Sequence, residues 1–419
     1  MNSMTSTGGL PIENVESIPL GDLAPADPRR FQADTWQPVF SRLRREAPVH
    51  HTADSPWGSY WSVTRYHDIM SVDKDFETYS SESGGITLAD PDPDMNIANF
   101  IRSDPPRHGP WRRTVNPVVA PGNLAQLESL IRERAARILD NLPVGEPFDW
   151  VQAVSVELTS QMLATLFNFP QEDRHRLIHW SDVVTASPEV GNHTVTTEER
   201  HAAQLECLDV FTELLAERRK RPPGGSLDFV TMLAHGEVTR DMSPMQILGT
   251  VRLLIIGGND TTRNSISGGV LALNQNPGEY DKLRHDPGLI PSMVSEIVRW
   301  QTPIAYMRRT ATRDIELGGE AIKAGDKVVM WYISGNRDDT VIPRADEFLI
   351  DRENPRQHLS FGFGIHRCMG NRLAEMQLRI VWEEILARYR FVEVVGPAQR
   401  TPSNFIHGIT HLPVVVHRH

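Results

Sequence analysis

The 419-residue chain contains only two cysteines, Cys207 and Cys368. Two thiols exclude a disulfide framework, and they also exclude a protein-ligated iron–sulfur cluster, which needs about four thiolates. The sequence has neither an apolar run long enough to span a bilayer nor the hydrophobic core of a signal peptide at its start. These absences predict a cytoplasmic protein in which one of the cysteines can have a specialised chemical role.

Positive charge is also scarce, since 43 Lys and Arg residues stand against 54 Asp and Glu residues, for a formal net charge of −11. Nucleic-acid binding needs a basic surface to neutralise phosphates, so the composition argues against it as a general property. Residues 1–30 are rich in Ser, Thr, Gly, Pro and Asp and are predicted to form a flexible N-terminal arm. Without an internal repeat or linker after this arm, residues 31–419 are predicted to form one domain.

Helical patterns dominate from about Trp111 to Asn276. The longest predicted helix begins at the capping box Ser243–Gln246, has Pro at its first position and extends for about 45–50 Å to Asn276. The segment Gly257–Thr262 within it combines two glycines with two β-branched residues, which should weaken or interrupt this helix. Such a local conflict often indicates a functional site.

Strand patterns are few and short. Val49–His51 and Tyr60–Val63 flank a turn and predict a hairpin, and Lys327–Ile333 forms another apolar run. The segment from Arg337 to Phe363 has little periodicity and predicts a long irregular loop, which compact domains seldom contain without a functional reason. Together the patterns predict a mainly α protein with a small β portion.

The strongest chemical signal is the segment Phe361–Gly370, which contains Cys368 and precedes a predicted helix that begins at Asn371. Glycines let the backbone turn close to a flat ligand and leave amides that point at the sulfur, and the helix N-terminus adds partial positive charge. These features favour the thiolate, which is the form that binds a metal. A lone Cys-X-Gly would more simply be a buried cysteine in a glycine-rich turn.

This segment resembles the cysteine-ligand loop of the cytochrome P450 family. Three further motifs of that family occur in the sequence, in the order along the chain that the family shows. They are the segment Asp104–Arg112, the pair Asp260-Thr261 in the long helix, and the pair Glu296-X-X-Arg299 with Arg352 as its third member. The resemblance covers residues 35 to 419. It implies a roughly triangular single-domain fold, one haem b, and Cys368 as the ligand of the haem iron.

The resemblance also implies roles for the other motifs. Asp260 and Thr261 would relay protons during oxygen activation, and Gly258 would leave room beside the haem. Glu296, Arg299 and Arg352 would form a buried ion pair that holds the loop around Cys368. Taken alone, Asp260 and Thr261 could merely fill a helix bend. Glu296 and Arg299 could likewise be an ordinary surface salt bridge. The remaining residues implied to hold the haem and its two propionates are His108, Arg112, Arg309, Phe361, His366 and Gly370.

Three longer strings, residues 257–264, 299–309 and 330–338, resemble the bacterial subgroup that hydroxylates alkanes and fatty acids at the terminal carbon. This subgroup likeness implies insertion of one oxygen atom from dioxygen into the terminal C–H bond of a medium-chain alkane or fatty acid. A terpenoid, a steroid or another apolar small molecule is the alternative substrate. The predicted pocket residues are Leu254, Ile304, Ala305 and Phe405, and the loop Gly84–Phe100 supplies further apolar groups.

No stretch of the sequence is left over for flavin or nicotinamide binding, so a ferredoxin and a ferredoxin reductase are implied as electron donors. An acidic ferredoxin could dock through local positive charge despite the negative net charge. The arginines expected near the thiolate side are Arg107, Arg112, Arg113, Arg367, Arg372 and Arg379.

Three rival functions remain. A peroxide-driven haem-thiolate enzyme and a non-enzymatic haem-binding protein would both have little use for the pair Asp260-Thr261. A cysteine hydrolase using Cys368 and His366 would need a third residue to orient the histidine, and none is nearby in the sequence.

If Cys368 ligates the iron, the reduced carbon monoxide complex should show the strongly red-shifted Soret band of thiolate ligation. The variant Cys368→His should lose this band, whereas Cys207→Ala should retain it. Absorption spectra of the two variants provide the measurement. Loss of the band in Cys207→Ala, together with its survival in Cys368→His, would show that the assignment is wrong.

Overall fold

Most of the chain is helical, as its apolar spacing predicts. The computed structural model describes residues 14–90, 97–186 and 194–419. In chain order, the helices are α1 (Pro28–Gln32), α2 (Gln37–Glu46), α3 (Tyr66–Lys74), α4 (His108–Val115), α5 (Pro121–Asp140), α6 (Glu157–Phe167), α7 (Arg174–Thr185), α8 (Thr197–Arg219), α9 (Phe229–His235), α10 (Pro244–Gln275), α11 (Pro277–His285), α12 (Ile290–Gln301), α13 (Tyr332–Gly335) and α14 (Asn371–Arg388).

The strands are short and form four sheets among the described residues. They are β1 (Val49–Thr52), β2 (Tyr60–Val63), β3 (Tyr79–Ser80), β4 (Phe148–Asp149), β5 (Met307–Ala311), β6 (Ile315–Leu317), β7 (Glu320–Ile322), β8 (Lys327–Met330), β9 (Tyr389–Val394), β10 (Gln399–Arg400), β11 (Ile409–His411) and β12 (Pro413–Arg418). The largest sheet has the order β1-β2-β8-β5-β3, in which only β2 and β8 pair in parallel. The predicted hairpin is therefore present as β1 and β2.

Helix α10 has 32 residues and is about 48 Å long. The predicted capping box is present, because the side chains of Ser243 and Gln246 each accept a hydrogen bond from the backbone amide of the other. The predicted interruption is absent: α10 continues through Gly257–Thr262, where the Thr261 hydroxyl donates to the Gly257 carbonyl at 2.9 Å. Contacts with α6, α7, α8, α12 and α14 stabilise it and outweigh the low helix propensity of the segment. Among the described residues, no helix combines the length and apolarity needed to cross a membrane.

Residues 14–30, which were predicted to belong to a flexible arm, pack against the rest of the protein, while residues 1–13 lie outside the described part of the chain. Val15, Leu23 and Phe31 are buried in a core that also contains Trp331. Arg42 fixes this segment further by donating hydrogen bonds to two of its backbone carbonyls, at 2.5 Å each. The Ser- and Pro-rich composition of the segment favoured a flexible arm, because only a few apolar residues anchor it.

A chain of aromatic contacts continues inwards from this segment. Phe31 stacks on Trp331 with 6.0 Å between ring centroids. Trp331 contacts Tyr306 at 4.8 Å, and Tyr306 contacts Phe405 at 5.2 Å. The N-terminal segment is thereby connected to the turn around Phe405 near the C-terminus.

The irregular loop predicted between Arg337 and Phe363 is present between α13 and α14. Glu296 and Arg299, on α12, form a bidentate ion pair with two N–O distances of 2.7 Å, and Arg352 in the loop contacts the same carboxylate at 2.9 Å. The two arginines also donate to backbone carbonyls in this part of the chain, which are those of Asn336, Pro343, Arg344, Ala345 and Glu347. The loop thus obtains from side chains the hydrogen bonds that a helix or sheet would otherwise supply.

Glu296 and Arg299 are both fully buried. Burial alone would raise the pKa of Glu296, but hydrogen bonds and positive charge from Arg299, the Leu349 amide and Arg352 outweigh it and lower the pKa. Glu296 therefore stays ionised, and the network has one buried carboxylate shared by two guanidinium groups.

Replacing Arg299 with Ala should leave this carboxylate buried with only one of its two cationic partners, and removing one member of such a pair costs about 3–5 kcal/mol. We expect the holoenzyme to unfold at a lower urea concentration and to lose haem more readily. Arg137→Ala is the control, because Arg137 forms an exposed helix pair with Glu133 and should change unfolding little. Equal unfolding midpoints for the two variants would contradict the role of the network.

Candidate active site

A cavity of about 360 Å³ lies between α10, the loop before α14 and the segment that leads into β5. Cys368 lies in its wall, together with Phe361 and Gly370 of the same loop, whereas Cys207 does not line the cavity. Most of the lining is apolar, and its side chains include Leu253, Leu254, Ile256, Ile304, Met307 and Phe405. The cavity can therefore hold an apolar molecule next to the cysteine sulfur.

The loop that carries Cys368 turns tightly at glycines. Gly362 and Gly364 adopt φ values of 65° and 66°, and a Cβ atom on Gly364 would lie 2.5 Å from the backbone oxygen of Asp73. A side chain at this position would therefore be strained and would also clash. The Cys368 amide donates to the Phe361 carbonyl at 2.8 Å, which closes the turn just before α14.

Two opposing effects act on the Cys368 thiol, which is accessible from the cavity. Desolvation by the surrounding protein raises its pKa, whereas the backbone amides of Gly370 and Asn371 and the charges of Arg112 and Arg367 lower it. Desolvation dominates, so the expected preference for thiolate does not come from the protein groups alone. A bound metal cation supplies the additional positive charge that deprotonates a coordinating thiol.

Arginine and histidine side chains at one edge of the cavity fit the two propionates of a haem. Arg112, Arg309 and His366 line the cavity, whereas His108 lies behind His366 with 4.6 Å between the ring centroids. Nδ1 of His366 and Nε2 of His108 are buried and have no hydrogen-bond partner among the described residues. Carboxylates accept hydrogen bonds from such donors.

The charge state of the two histidines supports the same fit. Burial, together with the nearby charges of Arg309, His108 and Arg112, lowers the pKa of His366 to about 2. Burial also lowers the pKa of His108, with a contribution from Arg112. Both rings are therefore neutral near pH 7, and each carries one N–H group.

Asp73, on α3, connects this edge to the cysteine loop and was not predicted from the sequence. Its carboxylate is buried and accepts hydrogen bonds from Arg309 Nη2 at 2.8 Å, the Tyr332 hydroxyl at 2.8 Å and the Phe363 amide at 2.7 Å. One acid thus orients a cavity arginine and fixes the backbone of the loop. No signal could have shown this, since in the sequence Asp73 is an ordinary acidic residue in a short amphipathic helix.

Thr261 and Asp260 point to different surroundings. Thr261 lines the cavity, as do Gly257 and Gly258, but Asp260 does not. The Asp260 carboxylate is fully buried, accepts from the Ser181 hydroxyl on α7 at 2.8 Å and forms an ion pair with Arg263 at 2.6 Å. Burial raises its pKa, and the charge of Arg263 opposes this effect. The structure thus brings only the alcohol of the predicted pair to the cavity wall.

Three of the four predicted pocket residues line the cavity: Leu254, Ile304 and Phe405. The fourth, Ala305, is not among the residues that line the cavity, because its side chain is fully buried in the core around Trp331. Neighbouring residues of an extended segment alternate in direction, which turns Ile304 inwards and Ala305 away. The apolar residues of the loop Gly84–Phe100 that line the cavity are Ile86, Ile97 and Phe100. Residues 91–96 of this loop lie outside the described part of the chain.

Comparison with known proteins identifies the family. The cytochrome P450 family model matches residues 288–413, which contain Glu296, Arg299, Arg352 and Cys368. Linalool 8-monooxygenase from Pseudomonas putida is 37% identical over 392 residues, which is 90% of this chain and 95% of that protein. The solved structure of cytochrome P450-153 from Novosphingobium aromaticivorans is 43% identical, with a TM-score of 0.88 over 95% of this chain and 99% of that one. The chain belongs to the cytochrome P450 family.

A further relative is the methyl-branched lipid omega-hydroxylase of Mycobacterium tuberculosis (strain ATCC 25618 / H37Rv), 34% identical over 415 residues and 95% of each chain. These similarities confirm the predicted mainly α, single-domain fold. The protein is a P450 monooxygenase, an oxidoreductase whose cofactor is haem b, and it is similar to omega-hydroxylating relatives.

Proposed function

We propose that this P450 hydroxylates the terminal carbon of a medium-chain alkane or fatty acid. The observation that carries the proposal is the apolar cavity whose wall is shared by the Cys368 sulfur and the Thr261 hydroxyl. The similarity to a methyl-branched lipid omega-hydroxylase supports it. The match to that protein covers 95% of each chain.

Terminal selectivity has to come from geometry. A primary C–H bond is stronger than the secondary bonds beside it, so an unrestrained oxidant would react at inner carbons first. A cavity that admits a chain end-on can offset this difference of a few kcal/mol by positioning only the last carbon for reaction. Leu254, Ile304 and Phe405, which project from three separate segments, are the side chains that we expect to narrow the cavity.

In this proposal Cys368 would ligate the haem iron, and Arg112, Arg309 and His366 would hold the propionates. His108 would support the ring of His366, Phe361 and Gly370 would form the loop beside the thiolate, and Gly258 would leave space at the cavity wall. When bound, haem supplies the centre for dioxygen activation, and thiolate ligation donates the electron density that favours O–O cleavage.

Proton delivery is assigned to the two faces of α10. The Thr261 hydroxyl, at the cavity wall, holds and passes the proton. Asp260 lies on the side of α7, where Arg263 connects it to Asp182, whose side chain is half exposed. This position suits Asp260 for supplying protons from solvent towards Thr261, rather than for acting inside the cavity.

Electrons are proposed to come from a ferredoxin and its reductase. Arg113, Arg367 and Arg372 are exposed and form no ion pair with any residue that the structure describes, so their charge is available to an acidic partner. Two other arginines expected on this surface are engaged by acids of the chain: Arg107 pairs with Glu82, and Arg379 pairs with Glu128 and Glu383.

Hydroxylation of a terpenoid is the second candidate function. It is favoured by the 37% identity to linalool 8-monooxygenase, whose named substrate is a terpenoid alcohol. Both functions use the same cavity and chemistry, and a substrate panel separates them. We expect straight-chain substrates to give the larger conversion of the haem spectrum from low spin to high spin.

Thr261→Ala should leave haem content and substrate affinity almost unchanged, since one hydroxyl contributes little to either. Without the proton carrier, more of the reducing equivalents should be lost as hydrogen peroxide. The ratio of product to NADH consumed, measured with a surrogate ferredoxin system, provides the test. Thr261→Ser retains a hydroxyl and should preserve coupling, and equal coupling in the Ala variant and the parent would exclude Thr261 from the relay.

Leu254→Ala should enlarge the cavity and raise the proportion of inner-chain alcohols formed from a medium-chain substrate, because the chain gains lateral freedom. Gas chromatography of the products measures this proportion. Leu227→Ala is the matched control, since Leu227 is an exposed leucine outside the cavity wall and should leave the product ratio unchanged. Mostly inner-chain alcohols from the parent enzyme would refute terminal hydroxylation but not the monooxygenase chemistry.

A further inference from the structure

One wall of the cavity is formed by a segment without regular structure, residues 84–90, which contributes Ile86 and Thr87 to the lining. Leu88 anchors the middle of this wall segment, because its side chain is fully buried and its amide donates to the Tyr306 hydroxyl at 3.1 Å. Backbone groups outside helices and strands need other partners. The position of the two lining residues therefore depends on the contacts made on either side of Leu88.

Arg308, on β5, supplies most of these contacts. Its amide donates to the Ile86 carbonyl at 2.9 Å. Its guanidinium then follows the wall segment, and Nη1 lies 3.3 Å from each of three successive carbonyl oxygens, those of Thr87, Leu88 and Ala89. One buried side chain thus contacts the backbone of four successive residues, two of which line the cavity.

Arg308 does this from outside the cavity. Its neighbours Met307 and Arg309 line the cavity, whereas the side chain of Arg308 points the other way, as the alternation of an extended strand requires. The approach of the wall segment is close. A Cβ atom added at Gly84 would clash with the guanidinium of Arg308 and would lie 2.5 Å from Oγ1 of Thr310. Only a glycine fits there without displacing either side chain.

Asp90 completes the arrangement at the end of the wall segment. Its carboxylate, which is 65% exposed, forms ion pairs with Nη1 of Arg308 at 2.8 Å and with Nζ of Lys327, on β8, at 2.9 Å. Lys327 also donates to the carbonyls of Leu88 and Trp57, at 3.3 and 2.6 Å. Burial lowers the pKa of Arg308, and Asp90 opposes this effect. We call Asp90, Arg308 and Lys327 the clasp, and none of the three lines the cavity.

We infer that the clasp determines substrate specificity by setting the width of the cavity from outside, through the position of Ile86 and Thr87. The inference rests on the cavity being the substrate site, as in the proposed function, and not on terminal regiochemistry. A wall that is held in place before the substrate arrives favours a slender, unbranched chain, because no ordering is left for binding to cost. Once released, the same wall admits wider molecules.

The test compares two ligands of equal carbon number and different width, n-octane and cyclooctane. Both are titrated into the holoenzyme, and dissociation constants are taken from the low-spin to high-spin shift. Asp90→Asn removes the charge at almost constant size. The ratio of the cyclooctane constant to the n-octane constant should fall by about threefold, as expected for partly exposed ion pairs. Asp90→Glu retains the charge and should keep most of the parent ratio.

Asp314→Asn is the matched control. Asp314 is 63% exposed and pairs with Lys323 at 2.9 Å, away from the cavity wall, so its loss should leave the ratio unchanged. The two Asn variants should unfold at similar urea concentrations, because both lose surface ion pairs.

An unchanged ratio in Asp90→Asn, or an equal loss of affinity for both ligands, would overturn the inference. The products from n-octane test the proposed function separately. Inner-chain alcohols from the parent, together with a lower ratio in Asp90→Asn, would support the clasp and refute terminal hydroxylation. Terminal alcohol from the parent, with the ratio unchanged in Asp90→Asn, would do the reverse.

Discussion

The buried network of Glu296, Arg299 and Arg352 is the interaction on which the rest of the site depends. The backbone between α13 and α14 has almost no regular structure, and two guanidinium groups hold it by five backbone carbonyls. Because Glu296 has a lowered pKa in the folded protein, its contribution to stability is complete above the ordinary carboxyl pKa and is lost as the pH falls through the lowered value. Replacement of such a network by apolar residues could preserve stability, but it could not supply these hydrogen bonds.

The loop held in this way delivers Cys368 to a site where burial raises the pKa of its thiol. Desolvation outweighs the amides and arginines around the sulfur, so the cofactor and the protein have to act together. Asp73 extends this dependence to the other edge, because one carboxylate fixes Arg309 and the backbone of Phe363. Under the proposed assignment, this single buried acid would couple iron ligation at the cysteine loop to propionate binding at Arg309.

The sequence predicted those features that depend on neighbouring residues. The capping box of α10, the hairpin β1–β2, the irregular loop and the helix after Cys368 all follow from local patterns, and the P450 resemblance assigned the rest of the haem motifs. Features that depend on tertiary contacts were missed. Asp73 acquires its role only when α3 meets β5 and the cysteine loop. Ala305 was placed in the pocket because sequence cannot show which way an extended residue points. Asp260 faces α7 because Ser181 of α7 donates to its carboxylate, and Arg263, one turn further along α10, forms an ion pair with it.

The aromatic contacts from Phe31 through Trp331 and Tyr306 to Phe405 have a consequence for how variation accumulates in this enzyme. Protein interiors are packed as densely as organic crystals, so a change in one ring displaces its neighbours. Phe405 forms part of the cavity wall, whereas Phe31 directly follows the segment whose composition predicted a flexible arm. A substitution of Phe31, or a truncation that removes it, can therefore shift Phe405 and change the shape of the cavity. No residue that contacts a substrate needs to change for this to happen.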